Sequence, residues 1–139
     1  MGAKTRMEMP RAEQLDVWFT YHQPTEETAP KYKAIAAAVQ GLRDAVYEAR
    51  QMPHEPGTRA PEEAFKLVTD AARAFVETID SVCPPCADAT AAVRCVRLCR
   101  NAANDLLCGQ TAQVYHDLFM LNLHQARYQA NSAIACGGV

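Results

Sequence analysis

The sequence predicts an all-α fold: an antiparallel helical bundle of about four helices, forming one domain over residues 1–139 and assembling into an oligomer. Three observations lead there. Apolar residues recur at threes and fours along most of the chain. Proline- and glycine-rich breaks fall between these stretches, and no stretch alternates long enough to read as a strand. The composition, 49% apolar and 22% charged over 139 residues, is that of a globular domain able to bury its own core.

The N-terminal arm, residues 1–29, carries "WFTYHQP" from Trp18 to Pro24, an aromatic cluster in a chain that is only 7% aromatic. A short helix over Pro10–Trp18 is possible, with Pro10 at its first position. The first long helix runs from about Pro30 to Arg50, and Tyr32, Ile35, Val39, Leu42 and Val46 form its stripe. Gly41 interrupts that stripe and leaves room for a close neighbour. The loop at 52–60 follows, within "MPHEPGTRAP". Thr58 is a candidate cap for a second helix, Pro61 to about Ser81, with Phe65, Val68, Ala72, Phe75, Ile79 and Val82 facing inward.

"CPPC", residues 83–86, turns the chain into a third helix reaching about Cys108, with Val93, Val96, Cys99, Ala103 and Leu107 as its stripe. Gly109 is the expected stop and Thr111 the cap of a fourth helix, whose core side reads as Val114, Leu118, Leu121, Tyr128 and Ile134. One long helix bent at Gly109 is the alternative. An internal echo links "RNAANDLLCG" from Arg100 with "RYQANSAIACGG" from Arg127.

Charge and motifs narrow the function. A net charge of −2 argues against a DNA- or RNA-polymer binder, which needs a strongly positive face. It leaves room for a small anion held by a few focused cations. No apolar run reaches the roughly 20 residues of a membrane span, and the polar start lacks a signal-peptide core, so the expected location is the cytoplasm. No phosphate-binding glycine loop, nucleophile elbow or HExxH is present. No enzyme activity and no cofactor are expected.

The six cysteines offer a second chemistry. Cys83 and Cys86 form CxxC, and Cys95 and Cys99 are one turn apart on a helix. These four thiols are an alternative copper or zinc set, since soft metals favour thiolates. As small core residues, Cys95, Cys99 and Cys108 need no metal.

"FTYHQPTEETAPKYKAI", Phe19 to Ile35, resembles the N-terminal motif of the phage anti-CBASS and anti-Thoeris cyclic-nucleotide sponges: an aromatic, Tyr-His-x-Pro, a polar spacer, then Lys-Tyr-x-x-Ile opening a helix. "LHQARYQANSAIA", Leu123 to Ala135, resembles the same family's Ala-Asn-x-Ala-Ile-Ala helix, and "CPP" resembles its intervening turn. The resemblance implies a small helical phage protein in a symmetric homo-oligomer, a hexamer or dimer. Such a protein sequesters cyclic di- or trinucleotides or cyclic ADP-ribose isomers without cleaving them. It implies a ligand site built from Phe19, Tyr21, His22, Pro24, Lys31, Tyr32, Lys33, Arg127 and Asn131. Asn104 lies nearer the family's spacing, while Asn131 carries the better identities. The residue types suit the ligand: cations for phosphates, aromatics for stacking and an amide for base edges. Trp18 and Phe19 are alternatively packing residues. A structural or interaction module without a small ligand is the remaining alternative.

Overall fold

The structure, a computed structural model, describes residues 23–137. Trp18, Phe19, Tyr21, His22 and the short helix expected over Pro10–Trp18 lie outside the described residues. Four helices account for nearly all of the rest: α1 (Ala29–Gln51), α2 (Glu62–Val82), α3 (Ala87–Leu107) and α4 (Gln113–Gly137). No strand occurs among the described residues.

Each helix reverses the previous one, and α4 closes back on α1. At one end, the starts of α1 and α3 meet the ends of α2 and α4. There Lys31 lies within electrostatic reach of Cys83, and Tyr32 within reach of Cys136. Gly137 fits so tightly against Pro84 that a Cβ would sit 2.6 Å from the ring Cγ. At the other end, the Ala60 N–H donates to the Leu107 carbonyl at 2.7 Å, joining the α1–α2 loop to the end of α3.

The stripes of α1, α2 and α3 fall largely as the spacing predicts, with Phe65, Val82 and Val93 only half-buried. Ile35, Leu42, Val68, Phe75, Ile79, Val96, Cys99 and Leu107 are fully or almost fully buried. Of the stripe predicted for α4 only Ile134 is buried. The core side of α4 is Phe119, Leu123, Ala126, Ala130 and Ile134, while Val114 and Leu118 are exposed and Leu121 and Tyr128 half-buried. α4 is therefore rotated relative to the expected phase, because small alanines take its inner face.

Other local expectations also need correction. Thr58 caps no helix: Pro61 is the residue at the start of α2, and the Thr58 hydroxyl donates to the Glu55 carbonyl. Gly41 faces open space, with nothing within 4 Å of where a Cβ would stand. At the start of α1, Thr25 and Thr28 exchange hydrogen bonds, each hydroxyl accepting from the other's N–H at 2.8 and 3.1 Å. That exchange clips the segment after the exposed Pro24 onto the helix.

Gly109 stops α3 as expected, and α3 and α4 are separate helices. The Gln110 N–H reaches the Asp105 carbonyl and the Gly109 N–H reaches the Leu106 carbonyl, both at 3.2 Å, with Gly109 at φ +94°. This paired closure requires a left-handed residue, which favours glycine. A Cβ at Gly109 would also meet the Gly57 carbonyl oxygen at 2.6 Å and its carbon at 2.9 Å. Gly109→Ala is expected to cost about 2–3 kcal/mol, strain and backbone clash together. Gly41→Ala, in open space in mid-helix, is expected to gain up to about 1 kcal/mol. Thermal unfolding of the two variants checks the pair.

Candidate functional site

Lys31, Tyr32 and Lys33 open α1 but do not share a face, since consecutive helical residues point about 100° apart. Tyr32 turns into the core and is 8% exposed, with its phenol pKa raised by burial and then by Cys136. Lys31 is half-buried beside Cys83, and Lys33 is exposed. The lysines therefore flank the bundle end rather than form one clamp.

Arg127 and Asn131 lie four apart on α4 and share a face. Asn131 is 1% exposed. Its Oδ1 and the Arg127 Nε are both buried without a hydrogen-bond partner among the described residues. One turn before Arg127 stands His124, whose pKa is lowered by burial first, then by the guanidinium groups of Arg43 and Arg127. Arg43 belongs to α1, so this face of α4 looks toward α1. Tyr32 and Arg43 are eleven residues apart, three turns on one side of α1, about 16 Å along its axis.

A polar, electropositive seam between α1 and α4 results. Arg43, His124 and Arg127 sit along it, with Asn131 one turn beyond Arg127 toward the end of α4, whereas Cys136, nine residues from Arg127, is on the opposite side of α4. The α1–α4 seam is also the most lightly packed of the four neighbouring helix pairs. Its chemistry is that of an anion and amide-edge reader: guanidinium N–H donors for phosphate oxygens, and an amide for hydrogen bonds to a base. Sequence spacing found Arg127 and Asn131. It missed Arg43 and His124, which belong to the seam only because α1 and α4 are neighbours.

Asn104, the other candidate, also has a buried Oδ1 without a partner among the described residues. It lies near the α3 C-terminus, where its backbone carbonyl accepts the Cys108 N–H. That is the end of the bundle away from Lys31 and Tyr32. Asn131 shares their end.

The four thiols of the metal alternative form two pairs rather than one set. Among the described residues, no group of three or more Cys, His, Asp or Glu is placed to hold a metal ion. The Cys83 thiol donates to the Ala130 carbonyl at 3.5 Å and the Cys99 thiol to the Phe119 carbonyl at 3.4 Å, tying α2 and α3 to the backbone of α4. Burial pushes the Cys83 thiol up to about 11 and the Cys99 thiol higher still. Both are held as thiols near neutral pH, unlike a metal-ligating or nucleophilic thiolate. Cys108 is exposed, contrary to the core role read from its position.

Comparison with protein families, with curated proteins and with solved structures returns no match.

Proposed function

We propose that this chain is a non-catalytic binding protein that sequesters a cyclic-nucleotide or cyclic ADP-ribose-type messenger in the seam between α1 and α4. The observation that carries the reading is the pair Arg127 and Asn131. Each holds a buried polar atom without a partner among the described residues, on a face of α4 that already carries positive potential. Unpaired buried polar groups are rare in folded chains and cost stability, so their presence in a lightly packed basic seam favours a ligand that pairs them. The Tyr-His-x-Pro and Ala-Asn resemblance supplies the ligand class. Messengers of this class combine phosphates with flat bases, which the guanidinium and amide groups suit.

Self-association belongs to the same proposal. Leu98, Val114 and Leu118 are exposed apolar side chains. The Cys99–Phe119 hydrogen bond sets Leu98 and Leu118 at one level on adjacent helices. Such a surface favours a symmetric interface between copies.

Native mass spectrometry of the full chain tests this, with a mixture of cyclic di- and trinucleotides and cyclic ADP-ribose isomers. A defined oligomer gaining whole-number copies of one intact ligand is expected. A cleaved product, or no uptake of any member of the mixture, overturns the proposal.

A further inference from the structure

Between α2 and α3, at the end of the bundle that also holds Tyr32 and Cys136, an open cleft of about 450 Å3 lies where the end of α2 and the CPPC turn meet α3. Its volume falls within the range of small-ligand pockets, about 300–1,000 Å3. Ile79, Pro84 and Val93 give it apolar walls. Thr90, Arg94 and Arg97 line it from α3, against the single carboxylate of Asp80 from α2.

Residues 90, 94 and 97 follow one another at helical spacing, so the hydroxyl and both guanidinium groups rise from one face. Neither arginine forms an ion pair among the described residues, where the ion pairs are Arg59–Glu62, Lys66–Asp70 and Arg73–Asp70. Two guanidiniums against one carboxylate leave the cleft net positive. At the start of α3, Asp88 in the first turn offsets the partial positive charge of the helix end.

We propose that this cleft is a second binding site, for a small organic phosphate of mononucleotide size. The arginines would take the phosphate, and the Ile79–Pro84–Val93 walls the flat or apolar body; the Thr90 hydroxyl already donates to the Cys86 carbonyl at 3.2 Å. Bidentate pairing with phosphate is what distinguishes arginine from lysine here. The arginines of the cleft stand on α3 and Arg127 and Asn131 on α4, so substitutions address the two sites separately.

The cleft contains its own reporter. Cys86 lines it and is half-buried, whereas Cys108 is exposed at the other end of α3. Maleimide labelling of the full chain, mapped by peptide mass spectrometry, therefore reads occupancy at one thiol with Cys108 as an internal control. AMP, GMP and inorganic phosphate are the probes. The expected result is that AMP or GMP slows Cys86 labelling at least fivefold, at lower concentration than inorganic phosphate, with Cys108 unchanged. In the double variant Arg94→Ala, Arg97→Ala the protection disappears. Both side chains are exposed and unpaired, so that variant keeps the fold. Unchanged Cys86 labelling with all three probes overturns the site. Protection that survives in the double variant overturns the role of the arginines. Equal protection by AMP and inorganic phosphate overturns the role of the apolar walls. Asn131→Leu, which addresses the seam, leaves Cys86 protection intact.

Discussion

Phe75→Ala is expected to lower the unfolding free energy by about 3–5 kcal/mol, the usual cost of removing a fully buried aromatic ring. Phe75 is fully buried near the middle of α2. Much of the surrounding buried set is alanine, including Ala64, Ala72, Ala92, Ala102, Ala103, Ala126, Ala130 and Ala133. Alanines let helices approach closely but bury little area each, so the few large side chains contribute a disproportionate share of the burial. The cavity left by the ring has no long flexible neighbour on α2 to refill it, since the adjacent stripe positions are Ala72 and Ile79. Chemical denaturation should show a lower midpoint with an unchanged slope, and melting should fall by about 10–20 °C. Phe75→Leu, which keeps most of the volume, should cost less than about 1.5 kcal/mol. A loss below about 1 kcal/mol for the alanine variant would mean that the interior of α2 is not packed as described.

The contrast between α2 and α4 explains what the sequence made legible. In α1, α2 and α3 the buried face follows the apolar period, with Tyr47 and Leu98 as exposed exceptions, so periodicity alone gives both the helix and its orientation. In α4 they separate in part. Val114 and Leu118 point outward, while Ala126, Ala130 and Ala133 point inward beside Asn131, together with Phe119, Leu123 and Ile134. A reading that starts its stripe from Val114 and Leu118 follows the outer face over the first half of the helix. The inner alanines carry no comparable signal, because alanine is common on every helix face. The internal echo, by contrast, reports a shared packing role. Ala103 and Ala130 are both fully buried, and Leu107 and Ile134 almost so. Each copy also ends with an exposed cysteine, Cys108 and Cys136.

The candidate sites divide in the same way. Arg127 and Asn131 share a face by spacing alone, so the sequence could pair them. Their partners Arg43 and His124 depend on which helix lies beside which, a property of the closed bundle. Arg94 and Arg97 look like ordinary solvated charges until the CPPC turn is folded back beside them. The thiols were legible as pairs, but a pair in a turn and a pair in a helix meet only if the fold brings them together.

Asn131→Leu is expected to abolish messenger binding, at least about 100-fold in affinity, while leaving stability unchanged or raised. The two effects have one cause. A buried amide oxygen without a partner costs about 1–3 kcal/mol of desolvation in the free protein, and leucine of similar size removes that cost. In the complex the same oxygen has a ligand group to accept from, so leucine deletes a bond and leaves the ligand's donor unpaired. A residue that merely holds α1 to α4 behaves in the opposite way: its loss lowers stability first and binding only as a consequence. Asn104→Leu is the matched control. It removes a similarly unpaired amide oxygen at the other end of the bundle, and ligand affinity should stay within about twofold. Calorimetric titration with the ligand found by native mass spectrometry, alongside thermal melts, separates the two cases. Equal losses of affinity in both variants, or a melt lowered by Asn131→Leu, would mean that the seam is a structural contact and that the messenger binds elsewhere.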